Sequence, residues 1–117
     1  MTLSSDYPVS WIGKNALSSM FNTEMAVTRQ RAGDKNYSVQ ARARERLSVD
    51  QASRAYTVDA AWQIRMENII GTLEPREKAD LVVLDRNPYL SDPYNLHTIK
   101  VHLTVSNGRV VYDRDQL

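Results

Sequence analysis

The sequence predicts an α+β fold, with helices in the first half of the chain and antiparallel strands in the second half. Three local patterns support this prediction. Ser48 and Gln51 have the spacing of a helix capping box. The run 81–84, Leu-Val-Val-Leu, is short, apolar and β-branched, which is typical of a strand. Asn107-Gly108 separates two apolar segments and is typical of a hairpin turn.

Two helices are predicted in the first half of the chain. Across residues 16–30 the residues of one stripe recur every three or four positions, which indicates a moderately amphipathic helix. The residues on its core-facing stripe are Leu17, Met20, Phe21, Glu24 and Thr28. A second helix is expected to begin after Ser48 and to extend to about Met66. The residues on one of its faces are Val49, Ala52, Tyr56 and Ala60. Residues 31–46 have no periodicity and are predicted to form a solvated loop.

Residues 81–84 are predicted to form a buried strand at the centre of the sheet. Their side chains are apolar on both faces. Such a strand needs neighbours on both edges and cover on both faces, because its backbone groups and side chains would otherwise be unpaired or wet. The turn before it contains Gly71, Pro75 and Arg76, and Arg76 would be strained at a positive φ angle.

Residues 99–113 are predicted to form a hairpin. Asn107 and Gly108 would supply the two positive φ angles of a type I′ turn. The opposite pairs expected from this turn are Val105 with Val110, Leu103 with Tyr112, and His102 with Asp113. His102 is expected to form a surface pair with Asp113. A Ser-His-Asp triad could be drawn through the same pair, but the sequence places no serine as a nucleophile.

The composition excludes several kinds of site. The 117 residues include 15 Lys and Arg, 14 Asp and Glu, and no cysteine, with a formal charge of +1. Disulfides and thiolate metal sites are therefore excluded, and no excess of charge favours nucleic acid. The start of the chain lacks the pattern of a signal peptide, and no run approaches the roughly 18 apolar residues of a membrane span. We expect a cytoplasmic protein that binds neither nucleic acid nor membrane.

Several segments, taken together, resemble one enzyme family. In chain order they are Ser5-Asp6-Tyr7-Pro8-Val9, Ala26-Val27-Thr28-Arg29-Gln30, the segment from Glu45 to Ala52, Gly71-Thr72-Leu73-Glu74-Pro75, the segment from Ala79 to Asp85, and the segment from Val105 to Tyr112. Their order and spacing resemble the C-terminal part of amidohydrolase-superfamily enzymes of the YtcJ-like subfamily (amidohydrolase family 3). One departure is Arg76-Glu77-Lys78, where the family usually has Gly-Lys and an apolar residue.

The resemblance implies a more specific architecture. A complete (β/α)8 barrel needs at least about 200 residues, so the chain can contain only part of one. Residues 1–68 would be the last strand and the last helices of the metal-dependent hydrolase barrel. Residues 69–117 would be the C-terminal strands of the small β-sandwich domain, including the hairpin 99–113.

The resemblance also implies a function for the parent enzyme. It would be a metal-dependent hydrolase of C–N bonds other than peptide bonds, with zinc as the expected metal. In the family, the Asp of the Ser-Asp-Tyr-Pro motif is a metal ligand and the general base that activates water. By residue match this catalytic and metal-binding residue is Asp6. The structural alternative is that Asp6 caps the turn before Pro8.

The chain alone is expected to be inactive. A hydrolytic metal site needs about three or four protein ligands, and neither His97 nor His102 matches a ligand of the family. We expect that the chain holds no metal tightly and that its partner is the missing N-terminal part of the enzyme. The alternative is a standalone α+β interaction module, or a truncated gene product, that associates with itself or with a fuller homologue. The sheet around 81–84 would then have a free edge.

Overall fold

The computed structural model describes residues 1–3, 18–34, 36 and 43–116. In this part of the chain three α-helices precede a three-stranded antiparallel sheet, which confirms the predicted α+β class. The helices are α1 (Ser19–Thr28), α2 (Val49–Tyr56) and α3 (Val58–Gln63). The strands are β1 (Leu81–Leu84), β2 (Val101–Ser106) and β3 (Arg109–Asp113). Short 3-10 helices lie at Ala43–Glu45, Pro88–Leu90, Pro93–Thr98 and Arg114–Gln116.

Helix α1 confirms the first predicted helix, although its buried face is more polar than the pattern indicates. Ser18 is the N-cap, and its hydroxyl accepts a hydrogen bond from the Phe21 amide at 3.3 Å. The helix ends where Arg29 takes a left-handed conformation with a φ of 58°. The fully buried residues are Thr23, Glu24 and Thr28. Of the other predicted stripe residues, Met20 and Phe21 are half-buried, and Leu17 lies outside the described residues.

The capping box at the start of α2 is confirmed. The Ser48 hydroxyl accepts a hydrogen bond from the Gln51 amide at 3.1 Å, and the Gln51 side chain accepts one from the Ser48 amide at 2.9 Å. The prediction of one helix extending to about Met66 is wrong. Helix α2 ends before Thr57, whose φ of −119° and ψ of −92° are not helical, and α3 ends at Gln63.

The break between α2 and α3 has a local cause and a tight contact beside it. The Thr57 hydroxyl donates to the Ser53 carbonyl at 3.0 Å, so the side chain competes with the backbone for that acceptor. The Thr57 amide bonds instead to the Arg54 carbonyl, which tightens the last turn. Gly71 lies against the next turn, where an added Cβ would be 2.8 Å from the Ala61 Cβ. The backbone at position 71 can therefore pass this close to α3 only if the residue there is glycine.

The turn before β1 keeps an unusual backbone conformation. Arg76 has a φ of 84°, so this residue does adopt the left-handed conformation that strains a side chain other than glycine. The turn is closed by Glu77, whose carboxylate accepts from the Thr72 amide at 3.0 Å and from the Thr72 hydroxyl at 2.8 Å. These bonds hold the turn despite the strain at Arg76.

Among the described residues, strand β1 lies at an edge of the sheet, whose strand order is β1-β2-β3. The predicted strand at 81–84 is confirmed, but its predicted position as a buried central strand is wrong. In the described part of the chain only β2 has a neighbour on each side, and Val82 and Val83 are 56% and 42% exposed. An apolar run indicates that side chains need cover, but it does not determine where in a sheet the strand lies.

The hairpin of β2 and β3 is confirmed, with Asn107 and Gly108 at φ angles of 50° and 76°. Val105 pairs with Val110 as predicted. The next predicted pair is wrong, because the register shifts after Val105 and leaves Val111 as an extra residue on β3. The observed pairs beyond the shift are Thr104 with Tyr112 and Leu103 with Asp113.

The buried core lies among the helices and residues 93–99. Its apolar members are Ala32, Ala52, Ala55, Ala61, Leu96 and Ile99. No residue of β1, β2 or β3 is fully buried: residues 101–105 of β2 are half-buried, and most of β3 is exposed, so burial contributes less to the sheet than to this core. None of the described helices combines the length and the apolar character needed to cross a membrane.

Candidate functional site

The predicted catalytic and metal-binding residue, Asp6, lies outside the described residues, and its role stays a prediction. Nearby in sequence, Thr2 and Leu3 are described, and both line an open cleft of about 720 Å³. The cleft lies between α2–α3 on one side and β1 with the turn before it on the other.

The cleft is mainly apolar. Its apolar walls include Tyr56, Ala60, Ile64, Ile70, Leu73, Leu81 and Val82. Burial raises the pKa of the Tyr56 phenol, while the nearby Asn22 side chain acts in the opposite direction. Asp80 is the single carboxylate among the described lining residues, and it accepts a hydrogen bond from the Asn107 amide at 2.6 Å. The cleft can therefore receive an apolar surface, but its described walls offer no second carboxylate for acid–base chemistry.

The described residues do not form a metal site. Among them, no group of three or more His, Cys, Asp or Glu side chains could hold an ion. A catalytic zinc site takes three protein ligands and keeps one position open for water. The described part of the chain therefore does not supply the ligand set that the resemblance implies.

His102 makes a surface pair, as expected, but with a different acid. Its Nε2 lies 3.5 Å from Asp115 Oδ2, and both side chains are exposed. The predicted partner, Asp113, lies opposite Leu103 because the extra residue Val111 shifts the register. An exposed pair of this kind contributes little stability.

His97 makes a partly buried contact with Glu24 that the sequence did not predict. Its Nδ1 lies 2.6 Å from Glu24 Oε2, and its amide donates to the same oxygen at 2.8 Å. The Gly33 amide donates to Glu24 Oε1 at 3.0 Å, and Glu24 is only 2% exposed. Glu24 and His97 are 73 positions apart, so no local pattern joins them. The available signal was a glutamate on the core-facing stripe of a helix, since a buried carboxylate requires hydrogen-bond donors.

Asp85 is the centre of an exposed charge cluster between β1 and β2. Its Oδ1 accepts a hydrogen bond from the Lys100 amide at 3.1 Å, and the Arg86 and Arg114 side chains lie 3.6 and 3.4 Å from its carboxylate oxygens. The Lys100 amide holds the pKa of Asp85 below its ordinary value, with help from the two arginines and against the desolvation of the carboxylate. The cluster fastens the end of β1 to the start of β2.

Comparison with known proteins gives the family context. Residues 1–112 match the sequence profile described as "Amidohydrolase family". Imidazolonepropionase of Kosmotoga olearia is 36% identical over 66 residues, which are 56% of this chain and 16% of that protein. Putative amidohydrolase YtcJ of Bacillus subtilis is 36% identical over 70 residues, which are 60% of this chain and 13% of that protein. The 5-methylthioadenosine/S-adenosylhomocysteine deaminase of Symbiobacterium thermophilum is 35% identical over 66 residues, 49% of this chain and 15% of that protein. The chain thus spans less than a fifth of each relative, and no solved structure matches it significantly.

Proposed function

Because the chain belongs to the amidohydrolase family, we propose that it is the C-terminal part of a metal-dependent hydrolase of C–N bonds other than peptide bonds. The match over residues 1–112 carries this proposal, and it confirms the predicted family. The names of the relatives support the bond class, since an amidohydrolase hydrolyses a C–N bond and a deaminase breaks one. The substrate of this chain's own enzyme would be set by parts of the protein outside these 117 residues.

The proposal gives each half of the chain a place in the larger enzyme. Residues 1–68 would end a (β/α)8 barrel, and residues 69–117 would belong to its small β-domain. Asp6 would be a metal ligand and the general base, which is supported by its place in the Ser5-Asp6-Tyr7-Pro8 motif. Because the described residues supply no group of metal ligands, the other ligands would come from the missing N-terminal part.

The proposal predicts that the chain alone neither holds stoichiometric zinc nor hydrolyses amides. Metal analysis of the purified protein and an amidase assay test this directly. A sharper test joins residues 1–117 to the preceding part of the Bacillus subtilis relative, in place of that protein's own C-terminal segment. The joined protein should bind zinc, and Asp6→Asn should reduce its zinc content. Tightly bound zinc and turnover in the 117-residue chain, both abolished by Asp6→Asn, would contradict the proposal of an incomplete site.

A second candidate function is an α+β interaction module that associates with itself or with a fuller homologue. The observation in its favour is a set of exposed valines on the outer strands, Val82, Val83, Val110 and Val111, together with the edge position of β1 in the described part of the sheet. An unpaired edge with exposed apolar side chains favours association. Light scattering tests this candidate, because a stable monomer that unfolds in one sharp transition would count against a need for partners.

A further inference from the structure

Glu24 is a charged side chain buried in the middle of α1. Only 2% of its surface is exposed, and burying a carboxylate is unfavourable unless donors surround it. Glu24 has three donors: the Gly33 amide on Oε1, and the His97 amide and His97 Nδ1 on Oε2. Both carboxylate oxygens are therefore occupied. No described part of the proposed hydrolase site uses this group.

The three donors join parts of the chain that are far apart in sequence. Gly33 lies in the turn just after α1, whereas His97 belongs to the 3-10 helix Pro93–Thr98. The His97 ring also packs against Gly33, where an added Cβ would lie 3.5 Å from Nε2. Gly33 has a φ of 78°, so glycine suits the turn, whereas an added Cβ would make only an ordinary contact with the ring. One carboxylate thus fixes the helix, the turn after it and the segment that leads into β2.

The remaining contacts show why this junction matters. Helix α1 packs along Pro93–Thr98, and Leu96 and Ile99 are buried there. In the described part of the chain no strand packs against a helix to a similar extent, and no strand residue is buried. An open cleft separates α2–α3 from β1. Apart from the segment that leads from Gly71 into β1, the helices and the sheet are therefore coupled mainly through residues 93–99.

We propose that Glu24 and His97 form a latch that couples the helices to the sheet, and that breaking it releases residues 93–99 from α1 while the hairpin stays formed. The hairpin has its own stabilising bonds, since the Gly108 amide donates to the Ala79 carbonyl at 3.0 Å and the Asn107 amide to Asp80 at 2.6 Å. Loss of the latch is thus a local opening rather than global unfolding. The latch is independent of the proposed hydrolase activity.

Glu24→Gln tests the latch with almost no change of volume. The amide has one accepting oxygen, so its NH2 group must face either the Gly33 amide or the donors of His97, and one buried donor loses its acceptor. Amide hydrogen exchange followed by NMR should be about 10- to 100-fold faster at Gly33, His97 and Ile99. Exchange at Thr104 and Val105 of the hairpin should stay within about twofold of wild type.

Variants at His97 keep the test decisive if Glu24→Gln gives little folded protein. His97→Asn keeps a donor near the position of Nδ1 and should resemble wild type, whereas His97→Ala should accelerate exchange at Gly33 and Ile99. Glu67→Gln is the control, because Glu67 is exposed. The latch is refuted if helix and hairpin amides accelerate by the same factor, or if neither Glu24→Gln nor His97→Ala changes exchange by more than about twofold.

Discussion

Gly71→Ala is expected to destabilise the chain clearly more than the same change at Gly108. Gly71 has a φ of +110°, and a Cβ there would lie 2.8 Å from the Ala61 Cβ and 3.4 Å from the Thr57 carbonyl oxygen. Gly108 has a φ of +76°, but nothing lies within 4 Å of its added Cβ. The two glycines therefore separate backbone strain from steric crowding.

The expected magnitudes follow from these two terms. Holding a residue other than glycine at such a φ costs about 1–3 kcal/mol. The lower entropy of the unfolded alanine chain offsets about 0.4–1 kcal/mol of this. Crowding against the Ala61 Cβ, which lies on a packed helix, adds about 1–3 kcal/mol at Gly71 alone. We expect a loss of about 1 kcal/mol for Gly108→Ala and about 2–4 kcal/mol for Gly71→Ala.

Urea unfolding followed by circular dichroism measures both losses. Ala61→Gly removes the methyl group that the new Cβ would meet, so the double variant with Gly71→Ala should recover about 1–2 kcal/mol relative to the sum of the single changes. Equal losses at the two glycines, together with additive behaviour in the double variant, would refute the claim that Gly71 is required by close contact with α3.

Three further predictions concern the core, the turn before β1 and the charge cluster. Leu96→Ala should cost about 2–5 kcal/mol in unfolding free energy because Leu96 is fully buried, whereas Leu90→Ala, at an exposed position, should change it by less than about 0.5 kcal/mol. Arg76→Gly should raise the melting temperature, since it relieves a positive φ at a net gain of about 0.5–1 kcal/mol; a lower melting temperature would show that the Arg76 side chain outweighs the strain. The pKa of Asp85 is lowered in the folded state. The stability that ionised Asp85 contributes is therefore present above its ordinary pKa of 3.8 and is lost as the pH falls through the lower folded pKa. In Asp85→Asn the free energy of unfolding should therefore decrease less steeply with falling pH below 3.8 than in wild type. The same pH dependence in both proteins would contradict this.

Features set by neighbouring residues were predictable from the sequence. The capping box at Ser48 and Gln51 depends on four consecutive residues, and the hairpin turn depends on Asn107-Gly108, so both were correctly predicted. The break at Thr57 was not, because a threonine inside a helical pattern reveals its competing hydroxyl bond only once the backbone is placed.

Features that depend on distant contacts were predicted less well. The apolar run of β1 was correctly assigned to a strand, but its edge position depends on which strands pair with it. The extra residue at Val111 moved Asp113 out of reach of its predicted partner, because one inserted residue changes every later pair. The Glu24–His97 contact joins two residues that no local pattern relates. For the candidate site, the family was predictable from motif order, and the role of Asp6 stays a prediction.

The lack of buried residues in the sheet has a calorimetric consequence. The heat capacity change of unfolding grows with the apolar area that becomes exposed to water, and strands that are only half-buried add less to it than a fully buried sheet would. Most of that change should therefore come from the helices and residues 93–99. A calorimetric trace of this chain should show a smaller step between its baselines than the roughly 1.4–1.8 kcal/mol/K usual for a domain of this length.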